Sequence, residues 1–342
     1  MRIHNVDKLE VAARQLADFM RRHRGRTTFL TGAGFSTESG IPDYRGKDGV
    51  YTRNPEYRVI YYQEFMASEQ ARQRYWARSF FGYLPMRDAQ PNRGHYALAR
   101  LQHNGWLNTA GGVTQNVDGL HLAAGALGTV ELHGALREVL CTQCNTVVSR
   151  ERMQLWLEEL NPAWAGALRQ LEHTTDGNPV QRSRAWHTTP DGDVEIATIL
   201  GVQPPDSHAL TDGRASAGGA RLLHAGFRYP SCQCCGGIYK PNVVFFGESI
   251  QARIRNAADL LLRNNDALLV MGTSLAVGSA VRMVRNAKRP DGHRRQPRDI
   301  AMVNLGPTRG DSWADLRLDA PCAELLVRTE ALLQGSEAKV HP

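Results

Sequence analysis

Two cysteine pairs carry the most constrained chemistry in this chain. Cys141-x-x-Cys144 and Cys232-x-x-Cys235 share one spacing, and Gly236-Gly237 after the second pair permits a tight knuckle. Four thiolates set this way can hold one zinc ion in a closed, structural tetrahedron. Cys234 offers an alternative to Cys232, but it is adjacent to Cys235, so the spacing favours Cys232. Cys322 stands apart from both pairs. His133 lies eight residues ahead of Cys141. Four thiolates already fill the tetrahedron, so the imidazole is free to be a packed side chain or a proton acceptor.

Further polar residues cluster beside glycine-rich turns. "GAGFSTESG" (Gly32 to Gly40) follows an apolar stretch like a phosphate-cradling turn, with Thr37 in place of the last glycine of GxGxxG. No clear strand ending in an acid follows about 20 residues on to hold an adenosine ribose, so a structural turn remains open. Pro42 stops a helix early and leaves Asp43 and Arg45 on a loop beside the turn. "TQNVDGLH" (Thr114 to His121) puts Gln115, Asn116 and Asp118 after another short apolar stretch. Amides and carboxylates there form turns as readily as they bind ligands.

Short apolar runs must position these groups. "RTTFLT" (Arg26 to Thr31), "NVVFFG" (Asn242 to Gly247), "DALLVMG" (Asp266 to Gly272) and "DIAMVNLG" (Asp299 to Gly306) read as buried strands. Helical patterns such as "IRNAADLLLRN" (Ile254 to Asn264) separate some of them. The pattern predicts an α/β fold: a Rossmann-like parallel sheet with helices on both faces, plus a small zinc-binding module and a helical insertion. Ligands bind such sheets beyond the carboxyl ends of the strands. The boundaries expected are residues 1–140 and 240–335 for the sheet domain, and 141–239 for the zinc module. The 87 residues between Cys144 and Cys232 open with a helix, "RERMQLWLEEL" (Arg150 to Leu160), and then turn loop-like through "HTTDGNPVQRSR" and "VQPPDSHALTDGRASAGGAR".

At 342 residues, 42% hydrophobic and 22% charged, the chain can bury a real core and is not globally disordered. The net charge of +7 is almost all arginine, with lysine only at 8, 47, 240, 288 and 339. That usage hints at a GC-rich, bacterial genome. Basic clusters at Met20 to Arg26 and Arg285 to Arg298 read as solvated surface before nucleic-acid contact, although an anionic ligand fits as well. No apolar run nears the roughly 20 residues that span a bilayer. Leu9, Ala12, Leu16, Phe19 and Met20 fall at helical spacing among Asp7, Glu10 and Asp18, which reads as the first helix of a cytoplasmic protein.

Taken in order, "GAGFSTESGIPDYR", "TQNVDGLH", "ELHG", CxxC with CxxCGG, "KPNVVFFGE", "GTSLAVGSA" and "VNLG" resemble the sirtuins, NAD-dependent protein lysine deacylases. The match runs from about Thr27 to Cys322. "STESGIPDYR" and "LGPTRGDSWADLRL" look like the class II branch, while Phe35 stands where the family usually has a smaller aliphatic residue. The resemblance implies a reaction in which the acyl oxygen of an acyl-lysine attacks the anomeric carbon of NAD and nicotinamide leaves. A ribose hydroxyl, deprotonated through His133, then resolves the adduct to free lysine and O-acyl-ADP-ribose.

The resemblance also assigns roles. Asn116 joins His133 as a catalytic residue and, with Gln115 and Asp118, lines the ribose and nicotinamide pocket. Ile41 and Asp43 hold the carboxamide. Gly32, Ala33, Gly34, Phe35 and Ser36 approach the pyrophosphate, and Tyr44 and Arg45 belong to the loop over the cofactor. Gly272, Thr273 and Ser274, with Asn304, Leu305, Gly306 and Cys322, hold the adenosine half. Val243, Phe245, Phe246, Gly247 and Glu248 provide, with "SLAVG", the edges for a substrate peptide. Tyr75 and Arg78, three apart on a helix, form the Tyr-x-x-Arg pair by which the desuccinylase branch grips an acyl carboxylate. The competing readings are an NAD-dependent ADP-ribosyltransferase or NAD hydrolase, and a zinc-stapled NAD-sensing module without catalysis.

Overall fold

The computed structural model describes residues 3–55, 57–174, 226–289 and 296–337. Six short strands form one all-parallel sheet: β1 (Thr27–Thr31), β2 (Val113–Thr114), β3 (Val130–Glu131), β7 (Ala267–Met271), β8 (Asp299–Val303) and β9 (Leu316–Leu318). Their order is β3-β2-β1-β7-β8-β9. The chain therefore leaves β1 towards β2 on one side and returns as β7 on the other, which places a topological switch point between β1 and β7. Side-chain alternation explains why these runs are apolar throughout. Phe29, Leu269, Met271 and Ala301 enter one core, while Leu30, Leu268, Val270 and Ile300 enter the other.

Helices cover both faces. The first core is closed by α1 (Ile3–Arg22), α5 (Arg93–His103) and a long helix after β9, α11 (Cys322–Glu337). Arg100 and Glu330 form a two-pronged ion pair between α5 and α11, at 2.6 and 2.7 Å. The second core lies under α9 (Ala252–Arg263) and α10 (Gly278–Ala287). The arginines around residue 24 are engaged within the fold: Arg21 pairs with Asp18, Arg26 with Asp266, and Arg24 stacks over Trp106.

A smaller antiparallel sheet holds β4 (Gly134–Cys141) between β5 (Val147–Ser149) and β6 (Tyr239–Val243). Here the structure corrects a sequence expectation. The run "NVVFFG" is no strand of the parallel sheet: only Asn242 and Val243 belong to β6, which pairs with β4. The reason lies in the knuckles, which join β4 to the approach to β6 and fix their antiparallel register from Cys141 opposite Tyr239. The expected boundaries at 140 and 240 fall inside β4 and β6.

Packed against this sheet are α3 (Tyr62–Ala67), α4 (Glu69–Asp88), α7 (Arg150–Leu160) and α8 (Pro162–Thr174). The helix expected over Arg150 to Leu160 is α7, capped by Ser149, whose hydroxyl accepts from the Arg152 N–H. Buried Arg150 ties it to α4 through the Ser79 carbonyl at 2.9 Å and lies over the Tyr83 ring. The two loop-like stretches expected later in the insertion begin at residues 173 and 202 and lie almost wholly outside the described residues.

Candidate active site

Five strand ends converge on one cavity of about 1080 Å³. It is lined from β1 by Ala33, Gly34 and Ser36, from β2 by Gln115, Asn116 and Asp118, and from β3 by His133. β7 contributes Gly272, Thr273 and Ser274, and β8 contributes Asn304, Leu305 and Gly306. A second cavity of about 970 Å³ shares Gly34, Gly272, Asn304 and Leu305 and extends to Phe35 and Cys322. Together they offer a long cleft across the switch point, more than the room an ordinary small ligand needs.

The glycines are required where β1 meets β7. The Gly34 N–H donates to the Gly272 carbonyl at 2.9 Å. A Cβ on Gly34 would stand 2.9 Å from that same oxygen, and one on Gly32 would stand 2.6 Å from the Thr273 Cβ. Gly272 itself has φ +60°, the left-handed region, and a Cβ there would meet the Phe35 nitrogen at 2.4 Å. The Asn92 amide, at the cap of α5, steadies the turn by donating to the Phe35 carbonyl.

The amides and the carboxylate behind the turn form a directed chain. Asn116 Nδ2 donates to the Gly32 carbonyl at 3.2 Å and to Ser36 Oγ at 3.0 Å. Ser36 Oγ in turn donates to Asp118 Oδ2 at 2.7 Å. With both amide hydrogens used inward, Asn116 has no protein donor to its carbonyl oxygen among the described residues. Burial raises the Asp118 pKa, and the bonds from Ser36 and the Leu120 N–H oppose that rise. Gln115 Nε2 crosses to Thr273 Oγ1 at 3.0 Å, tying β2 to β7.

His133 sits in the turn between β3 and β4. Its Nδ1 lies 3.0 Å from the Gln115 carbonyl oxygen, which can only accept, so Nδ1 carries the hydrogen. The other nitrogen, Nε2, is then the base of the neutral ring and lies 3.1 Å from Ser279 Oγ. Burial lowers the pKa of this imidazole, so it stays uncharged and proton-accepting at neutral pH.

The pattern of the Sir2 family matches residues 32–279. The chain belongs to the Sir2 family. It is 39% identical over 332 residues to the NAD-dependent protein deacylase SIR4 of Batrachochytrium dendrobatidis, covering 95% of this chain and 96% of that protein. With the mitochondrial NAD-dependent protein lipoamidase sirtuin-4 of Bos taurus it shares 37% identity over 302 residues, 88% of this chain and 80% of that one. A solved Sir2 complex with a p53 peptide and NAD+ superposes with a TM-score of 0.60 at 25% identity, over 94% of this chain and 98% of that one.

The remaining residues fall around the same Sir2 cleft. Ile41, Asp43, Tyr44 and Arg45 line its outer wall, where Asp43 Oδ1 accepts from the Gly46 N–H and Arg45 lies over Tyr51. Phe35 is buried between His95 and His121, with ring centroids at 4.9 and 5.1 Å. Cys322 is buried, which pushes its thiol up to about 12 and leaves it inert. Val243, Phe245, Phe246, Gly247 and Glu248 line another wall of the cleft, held to the His133 turn by the Val244 N–H on the His133 carbonyl at 2.8 Å. Tyr75 lines the cavity; Arg78 lies behind its wall, its guanidinium 5.9 Å over the Tyr57 ring.

Away from the cleft, the Sγ atoms of Cys141, Cys144, Cys232 and Cys235 lie within 4.8 Å of one another, with two separations of 3.6 Å. A tetrahedron with zinc–sulfur bonds of about 2.3 Å has edges of about 3.8 Å, so the four thiolates fit a zinc ion. Cys234 stands outside the cluster, exposed. Ser279 and Lys240 are the residues that motif reading passed over. Both lie inside quoted motifs, yet nothing in their residue types says what they touch.

Proposed function

We propose that this Sir2 protein removes acyl groups from protein lysines in an NAD-dependent reaction, releasing nicotinamide and O-acyl-ADP-ribose. The relatives' names and the peptide and NAD+ complex support the reaction. The observation that carries it here is a part-buried, neutral His133 whose base nitrogen is fixed beside the cleft. NAD bound across the switch point supplies an electrophilic anomeric carbon and nicotinamide as leaving group.

The chain's own residues do the rest. Gly32 and Gly34 bring the backbone close to the cofactor, and the Asn116 carbonyl accepts a hydroxyl. Nε2 of His133 takes the proton from a ribose hydroxyl, becoming imidazolium, and returns it later to solvent or product. The 243–248 segment and the one around Ala276 flank an extended peptide, bound chiefly through its backbone. The zinc ion clamps the base of the insertion, and four reduced thiolates support a cytoplasmic location. In this reading residues 1–140 and 240–335 form the cofactor domain and 141–239 the zinc module.

A finer reading is that Tyr75 and Arg78 favour acyl chains ending in a carboxylate, with Arg78 reaching past Tyr57. One experiment tests both levels. A peptide carrying acetyl, lipoyl, succinyl, glutaryl or methylglutaryl lysine is incubated with NAD and the protein, its His133→Ala variant or its Arg78→Leu variant, and products are identified by mass spectrometry. O-acyl-ADP-ribose that the His133 variant loses is the expected result. Nicotinamide without that product would favour hydrolysis or ADP-ribosyl transfer, and no turnover would leave an NAD-binding module. An acidic-to-neutral acyl ratio unchanged in the Arg78 variant overturns the finer reading.

A further inference from the structure

We infer that Ser279 is a positioning residue for the base, its hydroxyl holding Nε2 of His133 before proton transfer and accepting from it afterwards. The inference rests on the reading of His133 as the base. The argument begins at the far side of the ring. Because the Gln115 carbonyl fixes the hydrogen on Nδ1, Nε2 of the neutral imidazole has only a lone pair to offer. Ser279 Oγ, 3.1 Å away, is then the donor in that bond. Once Nε2 has taken a proton it becomes a donor, and the same Oγ can reverse its role and accept. A hydroxyl does this by rotating about one bond, which neither a carboxylate nor an ammonium could do in its place.

The surroundings make such a partner necessary. The ring is part-buried, and its loss of solvent disfavours the imidazolium. Ser279 belongs to the first turn of α10, whose N-terminal end carries partial positive charge and disfavours it further. The charged side chains sharing the cavity wall are Asp43, Arg45, Lys47, Asp118, Glu248, Arg255, Asp259 and Arg282. Among the described residues none of them hydrogen-bonds to the imidazole, and Glu248 is already paired with Lys240. In the step itself the ribose O–H bond breaks, an N–H bond forms at Nε2, and the pair of electrons stays on the ribose oxygen. Ser279 neither gains nor loses a proton overall. It yields the lone pair to the incoming hydroxyl and then receives the new N–H.

Threonine and valine separate this role from a packing role, since they share a shape and only threonine keeps the hydroxyl. Ser279→Thr, Ser279→Val, Ser279→Ala and His133→Ala are compared with the parent on one acyl-lysine peptide. The expected result is a kcat lowered about three- to tenfold in the valine and alanine variants, the worth of one hydrogen bond, with both KM values within about twofold of the parent. Threonine restores kcat. A second readout needs no turnover: the imidazole ¹⁵N resonances of His133 in the free protein. In the parent and the threonine variant they report hydrogen on Nδ1. In the valine variant the imidazole titrates lower than in the parent, because the charged ring loses the stronger of its two possible bonds. Equal behaviour of threonine and valine, or a loss confined to KM, overturns the inference. Retained product in His133→Ala overturns the reading of the base itself.

Discussion

Lys240 is the perturbation that tests how the 243–248 wall of the cleft, the proposed peptide side, is held. Its side chain is 5% exposed, and its ammonium donates to the carbonyls of Val243 at 2.6 Å and Pro241 at 3.1 Å and to Glu248 Oε2 at 3.1 Å. The same carboxylate oxygen accepts from the Phe245 N–H at 2.9 Å. The cation also lies 4.9 Å over the Phe245 ring, which packs on Phe65 and Tyr75. One lysine therefore closes the segment that, through the Val244 N–H, borders His133. Burial lowers its pKa, and the charge of Glu248 opposes that shift.

Replacing the lysine by methionine keeps most of the stem and removes the charge. Glu248 is then left with one protein donor, and two carbonyls lose theirs. Breaking a buried pair from one side costs about 3–5 kcal/mol. Glu248 keeps 20% exposure, so water recovers part of this and about 2–3 kcal/mol is expected. Lys240→Met/Glu248→Gln leaves no unpaired charge and should regain about half of that loss, a coupling of at least about 1 kcal/mol. The assay is urea unfolding of the parent, both single variants and the double variant, with peptide and NAD KM values alongside. The peptide KM rises in Lys240→Met and the NAD KM holds. A loss below about 1 kcal/mol, or a double variant no more stable than the single, refutes the reasoning.

The metal reading predicts one zinc per chain by elemental analysis, lost with folding in Cys232→Ser and kept in Cys234→Ser. An equal loss from both variants would show that the knuckle uses its cysteines interchangeably. Acid stability is a second test. Burial holds His95 neutral, with its pKa lowered to about 3, while Nδ1 accepts from the Asn92 N–H. The unfolded chain takes up the proton below about pH 6.5, so this contribution is full above that pH and is lost as pH falls towards 3. His95→Gln retains an acceptor and cannot charge. Its unfolding free energy should decline less steeply between pH 6.5 and 5.5, by about 1 kcal/mol per unit, and an unchanged slope would count against a buried neutral His95.

The strands β1, β7 and β8 were legible because each is a short apolar run flanked by turn formers, and a buried parallel strand needs nothing else. The same criterion misplaced "NVVFFG". Apolar alternation says that a segment is buried, but which sheet buries it depends on β4, more than a hundred residues earlier in the chain. The site shows the same division. Gly34, Asn116 and His133 could be picked out by type and motif, whereas the bond from Ser279 to His133 joins residues 146 apart. Only the closure of β3 and β7 around β2 and β1 brings them together.

Thr37, in place of the last glycine of the expected fingerprint, has a physical explanation that also accounts for Ser36. In a dinucleotide fold that glycine lets a long helix pack closely against the strand it follows. Here the chain after β1 makes two single-turn 3-10 segments, Ala33–Phe35 and Thr37–Ser39, and then a loop through Asp43. With no long helix to seat, a side chain at 37 is tolerated, and the Thr37 hydroxyl closes the turn on the Gly34 carbonyl at 3.1 Å. The tighter turn also points Ser36 inward, fully buried, where its hydroxyl links the Asn116 amide to Asp118. The departure from the phosphate-binding pattern thus supplies the hydroxyl that holds the amide of Asn116, which lines the same cavity as His133. A turn built for a helix would leave that amide without its second acceptor.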